Sequence, residues 1–222
     1  MRTATFAAPL ELATLRKLWK PRRDSYADAR LYEENRIRIH RAFTWLEHAD
    51  SCGDADLDGR FLAQWSGLAA LFSRWDAAKG HPVAARAALG LFVKQLAAND
   101  HDGLLAQVLE KDRALVTGMF TDRYLRRFFP EEVSVRGLYE RRRWDKVLAL
   151  LLERAALVHA QLAQGGATYA SRENRTVLKR ASMALDRVSL AAIQVVINHG
   201  YADDWGELCW PPARSARGAA AD

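Results

Sequence analysis

Apolar residues recur along the chain at steps of three and four, the period of an α-helix with one buried face. In "GRFLAQWSGLAALFSRWD", Phe61, Trp65, Leu68, Phe72 and Trp75 follow one another at four, three, four and three. That spacing predicts one amphipathic helix carrying all five. Upstream, "NRIRIHRAFTWLEHA" sets Ile39, Phe43 and Leu46 on one face, with arginines on the other. Downstream, the pattern predicts helices over about 83–98, 103–111 and 112–128, the last carrying Leu115, Met119 and Tyr124. Pro130 pushes Phe129 away from helical geometry and predicts a boundary. A helix over about 137–164 then stops at Gly165-Gly166. Ser171 is placed to cap a last long helix, 172–198, closed by Asn198-His199-Gly200. No strand pattern competes, so the fold class expected is all-α, a helical bundle with long C-terminal helices. Its expected organisation is an N-terminal helical extension over 1–29, one helical domain over 30–212, and a flexible tail over 213–222.

Composition narrows the function classes. Half of the 222 residues are hydrophobic and 27% are charged, as in a globular protein. A net charge of +6 and a pI near 9.5 admit a polyanionic partner without requiring one. Cys52 and Cys209 stand alone and far apart, suggesting neither a disulfide framework nor a metal site. Glu11 and Arg16 interrupt the N-terminal apolar stretch, which rules against a signal peptide. No apolar run reads as long enough to span a bilayer. The expected location is therefore cytoplasmic, with no membrane partner.

The candidate chemistry is sparse. "DADLDG", Asp54–Gly59, copies the first half of a calcium loop, but its twelfth position is Trp65 and not a bidentate glutamate. Acidic capping of the following helix is the better reading. The histidines at 40, 48, 81, 101, 159 and 199 form no pair at ligand spacing on a shared helix face, so no metal and no cofactor are expected. Phosphate-loop, dinucleotide and nucleophile-elbow motifs are absent. Residues 111–146 carry ten Lys/Arg against six Asp/Glu. Arg123, Arg126, Arg127, Arg141, Arg142, Arg143 and Lys146 are the candidate nucleic-acid contacts, interleaved with Tyr124, Phe128, Tyr139 and Trp144. Cations beside aromatic faces suit phosphate contact with base stacking. Taken alone, this segment reads better as core aromatics under a solvated face of arginines.

The C-terminal third resembles bacterial HEPN-domain proteins. "QGGATY" (Gln164–Tyr169), "SRENR" (Ser171–Arg175) and the closing "DDWGELCWPP" carry the likeness, and "RIHRAFTWLEHA" and "DLDGRFLAQWSGL" resemble the N-terminal helices of the same subgroup. The resemblance covers most of residues 30–212. It implies an all-helical dimer of a kind that includes many RNA-cleaving toxins and defence nucleases, with an R-N-x-x-x-H motif just before the paired glycines.

The chain departs from the family at that motif. Aligned without a gap, the motif Arg, Asn and His positions hold His159, Ala160 and Gln164. Allowing five extra residues matches Arg154 and His159 instead. Five residues advance an α-helix by about 140° beyond a full turn, so such a pair does not converge inside continuous helix. The gapless placement keeps Leu151, Val158 and Leu162 on one side and is the preferred one. Gln164 exchanges no proton near neutral pH, so proton transfer at the scissile phosphate would lack its partner. The expectation is a catalytically degenerate HEPN-like protein, with no favoured catalytic residues. It would bind RNA or single-stranded nucleic acid, or serve as an assembly subunit, as a homodimer or within a larger complex, plausibly in a prokaryotic defence system. The alternatives are a metal-independent, toxin-like endoribonuclease using Arg154 and His159, and a structural subunit without nucleic-acid contact.

Overall fold

A computed structural model describes residues 9–25, 30–129 and 133–210. It contains nine α-helices among the described residues: α1 (Leu12–Ser25), α2 (Arg30–Cys52), α3 (Leu57–Phe72), α4 (Ala85–Asn99), α5 (Leu104–Lys111), α6 (Arg113–Thr121), α7 (Val135–Glu140), α8 (Trp144–Ala163) and α9 (Arg175–Val195). A two-residue hairpin, β1 (Trp75–Asp76) and β2 (His81–Pro82), is the only sheet among those residues. The protein is all-α, as its periodicity predicts. The expected tail over 213–222 and the Pro130 boundary lie outside the described residues.

α2 and α3 form an antiparallel hairpin. Ile39, Phe43 and Leu46 from α2, and Phe61, Trp65, Leu68 and Phe72 from α3, are all buried, as their spacing predicts. Burying each of these large side chains is worth roughly 1.5–3 kcal/mol. The helices approach closely at Gly67, where a Cβ would stand 3.0 Å from Leu46 Cγ. α1 lies on this hairpin with Leu15 and Trp19 in the common core.

α9 is the spine. It packs against α1, α3, α4, α5, α6 and α8, and twelve of its residues are buried. Three of its arginines each hold the end of another element. Arg175 pairs with Asp58 in the first turn of α3, and Arg180 with Asp122 just after α6. Arg187 pairs with Asp112 at the α5–α6 junction. Beyond α9 a π-helical turn (Val196–Gly200) brings His199 to Asp102, 2.8 Å away in the α4–α5 loop.

Several sequence expectations change in detail. The α3 helix ends at Phe72, so Trp75 leaves the amphipathic face and pairs with Pro82 in the hairpin. The predicted helix over 112–128 is broken by Asp122, which accepts from the Tyr124 and Leu125 N–H groups and starts a 3-10 turn (Leu125–Arg127). The predicted 137–164 helix is two helices, because Arg142 at φ +51° turns the chain between α7 and α8. α9 begins at Arg175 behind Asn174, which takes the left-handed conformation that Asn tolerates. Ser171 accepts only the Glu173 N–H and caps no helix. Finally, Arg175–Gly200 is by length and composition long and apolar enough to cross a membrane, against the expectation of no such run. Its most apolar window is 67% buried within the protein, where six neighbouring helices cover it.

Candidate functional site

The two residues of the alternative catalytic pair project from α8 toward different neighbours. Arg154 is 4% exposed, its guanidinium 3.9 Å from the Phe120 ring centroid and 4.6 Å from that of Phe129. Its Nη1 donates to the Leu150 carbonyl, while Nε has no partner among the described residues. Burial pulls its pKa below the ordinary guanidinium value. His159 stacks nearly flat on Trp65 of α3, with centroids 5.0 Å apart and planes 21° apart. Burial lowers its pKa too, favouring the neutral ring. Arg154 thus faces α6 while His159 faces α3, as five helical residues of rotation require. The structure does not bring them together. Of the gapless motif positions, Ala160 is half-buried on α8 and Gln164 is an exposed C-cap.

The glycines after α8 close a Schellman turn. Gly165 takes φ +69° and donates to Leu162, and Gly166 donates to Gln161 across 2.7 Å. The following loop docks on the start of α3. Asp56 caps α3 through the Gly59 N–H and also accepts from the Tyr169 hydroxyl. Asp58 accepts from the Ala170 N–H and from Arg175. Asp54 pairs with Arg60. The three acids of "DADLDG" therefore each serve different partners, and capping is one of their roles. Asp58 borders a cleft, shared with Gln161, Thr168, Ser171 and Arg175, that holds about 20 Å³, the room of a single water.

The basic segments form two separate clusters. Arg123, Arg126 and Arg127 are exposed on the turn after α6, and beside them Phe128 is 51% exposed, edge-on to Tyr124. Arg141, Arg142, Arg143 and Lys146 are exposed around the α7–α8 turn. There Arg141 Nε donates to the Gly137 carbonyl, and Arg143 makes two 3.1 Å bonds to Asp145. The aromatic residues of this second cluster are not free to stack. Tyr139 is buried, donates to the Leu109 carbonyl, lies under Arg113 and meets the edge of Trp144. Burial pushes its hydroxyl pKa up to about 12. The clusters lie toward opposite ends of α6, whose first residue touches Tyr139 and whose Phe120 touches Arg154.

Two constellations carry no local sequence signal. The α4–α5 loop brings His101 to His199, ring centroids 5.0 Å apart, although they are far separated in sequence and on different elements. On α2, Arg38 and Arg41 grip the C-terminal segment. Arg38 donates to the Ser73 and Gly206 carbonyls, and Arg41 to those of Cys209 and Trp210. Burial lowers the Arg38 pKa to about 10. Among the described residues no group of three His, Cys, Asp or Glu is placed to hold a metal ion.

No family model, curated protein or solved structure matches this chain.

Proposed function

We propose that this is an all-α, HEPN-like protein that binds single-stranded nucleic acid, RNA foremost, without cleaving it. It would work as a homodimer or a subunit of a larger assembly. The observation that carries the binding is Phe128, a half-exposed phenyl ring on the same turn as the exposed Arg123, Arg126 and Arg127. Guanidinium groups around an open aromatic face supply phosphate attraction and a stacking surface together, which suits unpaired bases. Arg141–Arg143 and Lys146 extend the positive surface without a free ring.

What supports the absence of cleavage is the divergence on α8. Arg154 is enclosed by two phenyl rings and His159 by an indole, so neither faces a phosphate that the other could reach. The HEPN resemblance supplies the expectation of a dimer, and the defence setting rests on that resemblance alone.

The test is the affinity for a labelled single-stranded RNA across a salt series. Arg123→Glu/Arg126→Glu/Arg127→Glu should weaken binding and flatten its salt slope by about one phosphate contact per lost arginine. Phe128→Ala should weaken binding with the slope unchanged. Unaltered affinity in both variants would overturn the assignment of this surface.

A further inference from the structure

We infer that Asp122 is a positioning residue for the nucleic-acid surface proposed above. Its carboxylate folds the turn that carries Arg123, Arg126, Arg127 and Phe128 and ties that turn to α9. An acid beside a basic surface thereby strengthens the hold of that surface on a polyanion. The inference rests on the nucleic-acid reading, and it names what the surface depends on besides its own cations and ring.

Three contacts hold the carboxylate, whose side chain is 14% exposed. Asp122 Oδ1 accepts from the Tyr124 N–H at 2.9 Å and from the Leu125 N–H at 3.3 Å. Oδ2 accepts from Arg180 Nη1 of α9 at 3.3 Å. The Asp122 backbone leaves α6 extended, at φ −60° and ψ 129°, and its own carbonyl then accepts from the Arg126 N–H. The turn closes through the Arg127 N–H on the Tyr124 carbonyl and the Phe128 N–H on the Leu125 carbonyl. Leu125 is fully buried and fixes the turn to the core, while Arg123, Arg126, Arg127 and Phe128 stay exposed. Gly118 of α6 leaves room for the Arg180 side chain, since a Cβ there would stand 3.0 Å from Arg180 Nε.

Without that carboxylate the apolar period carries α6 past Thr121 to residue 128, and the arginines and Leu125 on the way are good helix formers. In a continued helix Phe128 would lie about 160° round the axis from Arg126 and about 140° from Arg123. The ring and two of the three guanidinium groups would then face different ways. Asp is suited to prevent this, because its short carboxylate reaches the N–H groups two and three residues on. Charge and position therefore pull in opposite directions. By charge alone Asp122 repels phosphate, and its removal should tighten binding. As the residue that shapes the turn, it is needed for binding.

The experiment is fluorescence anisotropy of a 5′-labelled 12-nucleotide oligouridylate across a salt series. It is titrated with the wild-type chain, Asp122→Asn, Asp122→Ala, Asp122→Glu and Arg123→Glu/Arg126→Glu/Arg127→Glu, and the thermal midpoint of each is recorded. The Asn and Ala variants carry the same charge, but only Asn keeps an oxygen for the two N–H groups. Asp122→Asn should bind at least as tightly as wild type, while Asp122→Ala should bind roughly tenfold or more weakly with a flatter salt slope. Asp122→Glu keeps the charge but not the short capping side chain, so it should weaken as well. It also keeps the test valid should Asp122→Ala unfold. Asn and Ala variants of equal affinity, or a Glu variant that binds like wild type, overturn the inference. If the arginine variant weakens in that same series, the proposed function stands. Absence of binding by the wild-type chain, or an arginine variant that binds like it, overturns both.

Discussion

Asp58 and Arg175, 117 residues apart, join the start of α3 to the start of α9 through a carboxylate that is 4% exposed. The partners are unequal. The Asp58 side chain is sealed in, whereas that of Arg175 is 32% exposed and can turn to water. Arg175→Ala leaves a buried carboxylate with only the Ala170 N–H, so it should cost about 3 kcal/mol. Asp58→Ala frees an arginine that can resolvate and should cost less, about 1–2 kcal/mol. Denaturant unfolding of both variants checks this order. An equal or reversed order would show that the pair does not anchor the loop through Asp58.

His159 gives the fold a pH dependence. Burial against Trp65 holds its folded pKa below the ordinary value near 6.5. The unfolded chain therefore binds the proton first as pH falls. Its contribution is complete above about pH 6.5 and is lost progressively as pH drops from there toward the folded pKa. His159→Gln should flatten the stability profile over that window relative to wild type. Parallel profiles, measured by thermal midpoint between pH 7.5 and 5, would show that the ring is not desolvated by its stack.

Arg154 places a cation between Phe120 and Phe129, with no carboxylate partner among the described residues. A flexible apolar side chain should fill that slot without the desolvation cost. Arg154→Met is accordingly expected to fold with stability unchanged or raised by about 1 kcal/mol, and to bind RNA like wild type. Loss of RNA affinity at intact stability would give Arg154 a ligand and contradict the structural role assigned here.

Arg38 should matter in the opposite sense. Arg38→Met deprives the Ser73 and Gly206 carbonyls of their donor in a buried setting, at a cost of about 2–3 kcal/mol. Residues 200–210 should then become the first site of limited proteolysis. Arg41→Met, whose contacts lie nearer the surface, should loosen the same segment less.

The helices were legible in the sequence because each buries one stripe. Ile39, Phe43 and Leu46 on α2, and Phe61 through Phe72 on α3, can be read at steps of three and four without a structure. Breaks caused by single residues were not. Arg142 at a positive φ and Asp122 pulling two N–H groups out of helical register carry no periodic signal, so one expected helix became two and another lost its end. The 140° separation of Arg154 and His159 followed from helix geometry alone, but their enclosure by Phe120, Phe129 and Trp65 depends on packing between distant elements. The same is true of Arg38, Arg41 and Trp210, and of the His101–His199 contact. A local window cannot see partners that only the fold assembles.

The most direct measurement follows a 5′-labelled single-stranded RNA incubated with wild type, Arg154→Ala and His159→Ala in the presence of a chelator, on native and denaturing gels. The account predicts RNA that is shifted by wild type on the native gel and remains full length on the denaturing gel. Cleavage by wild type that disappears in both variants would contradict it, and would make Arg154 and His159 an active site after all.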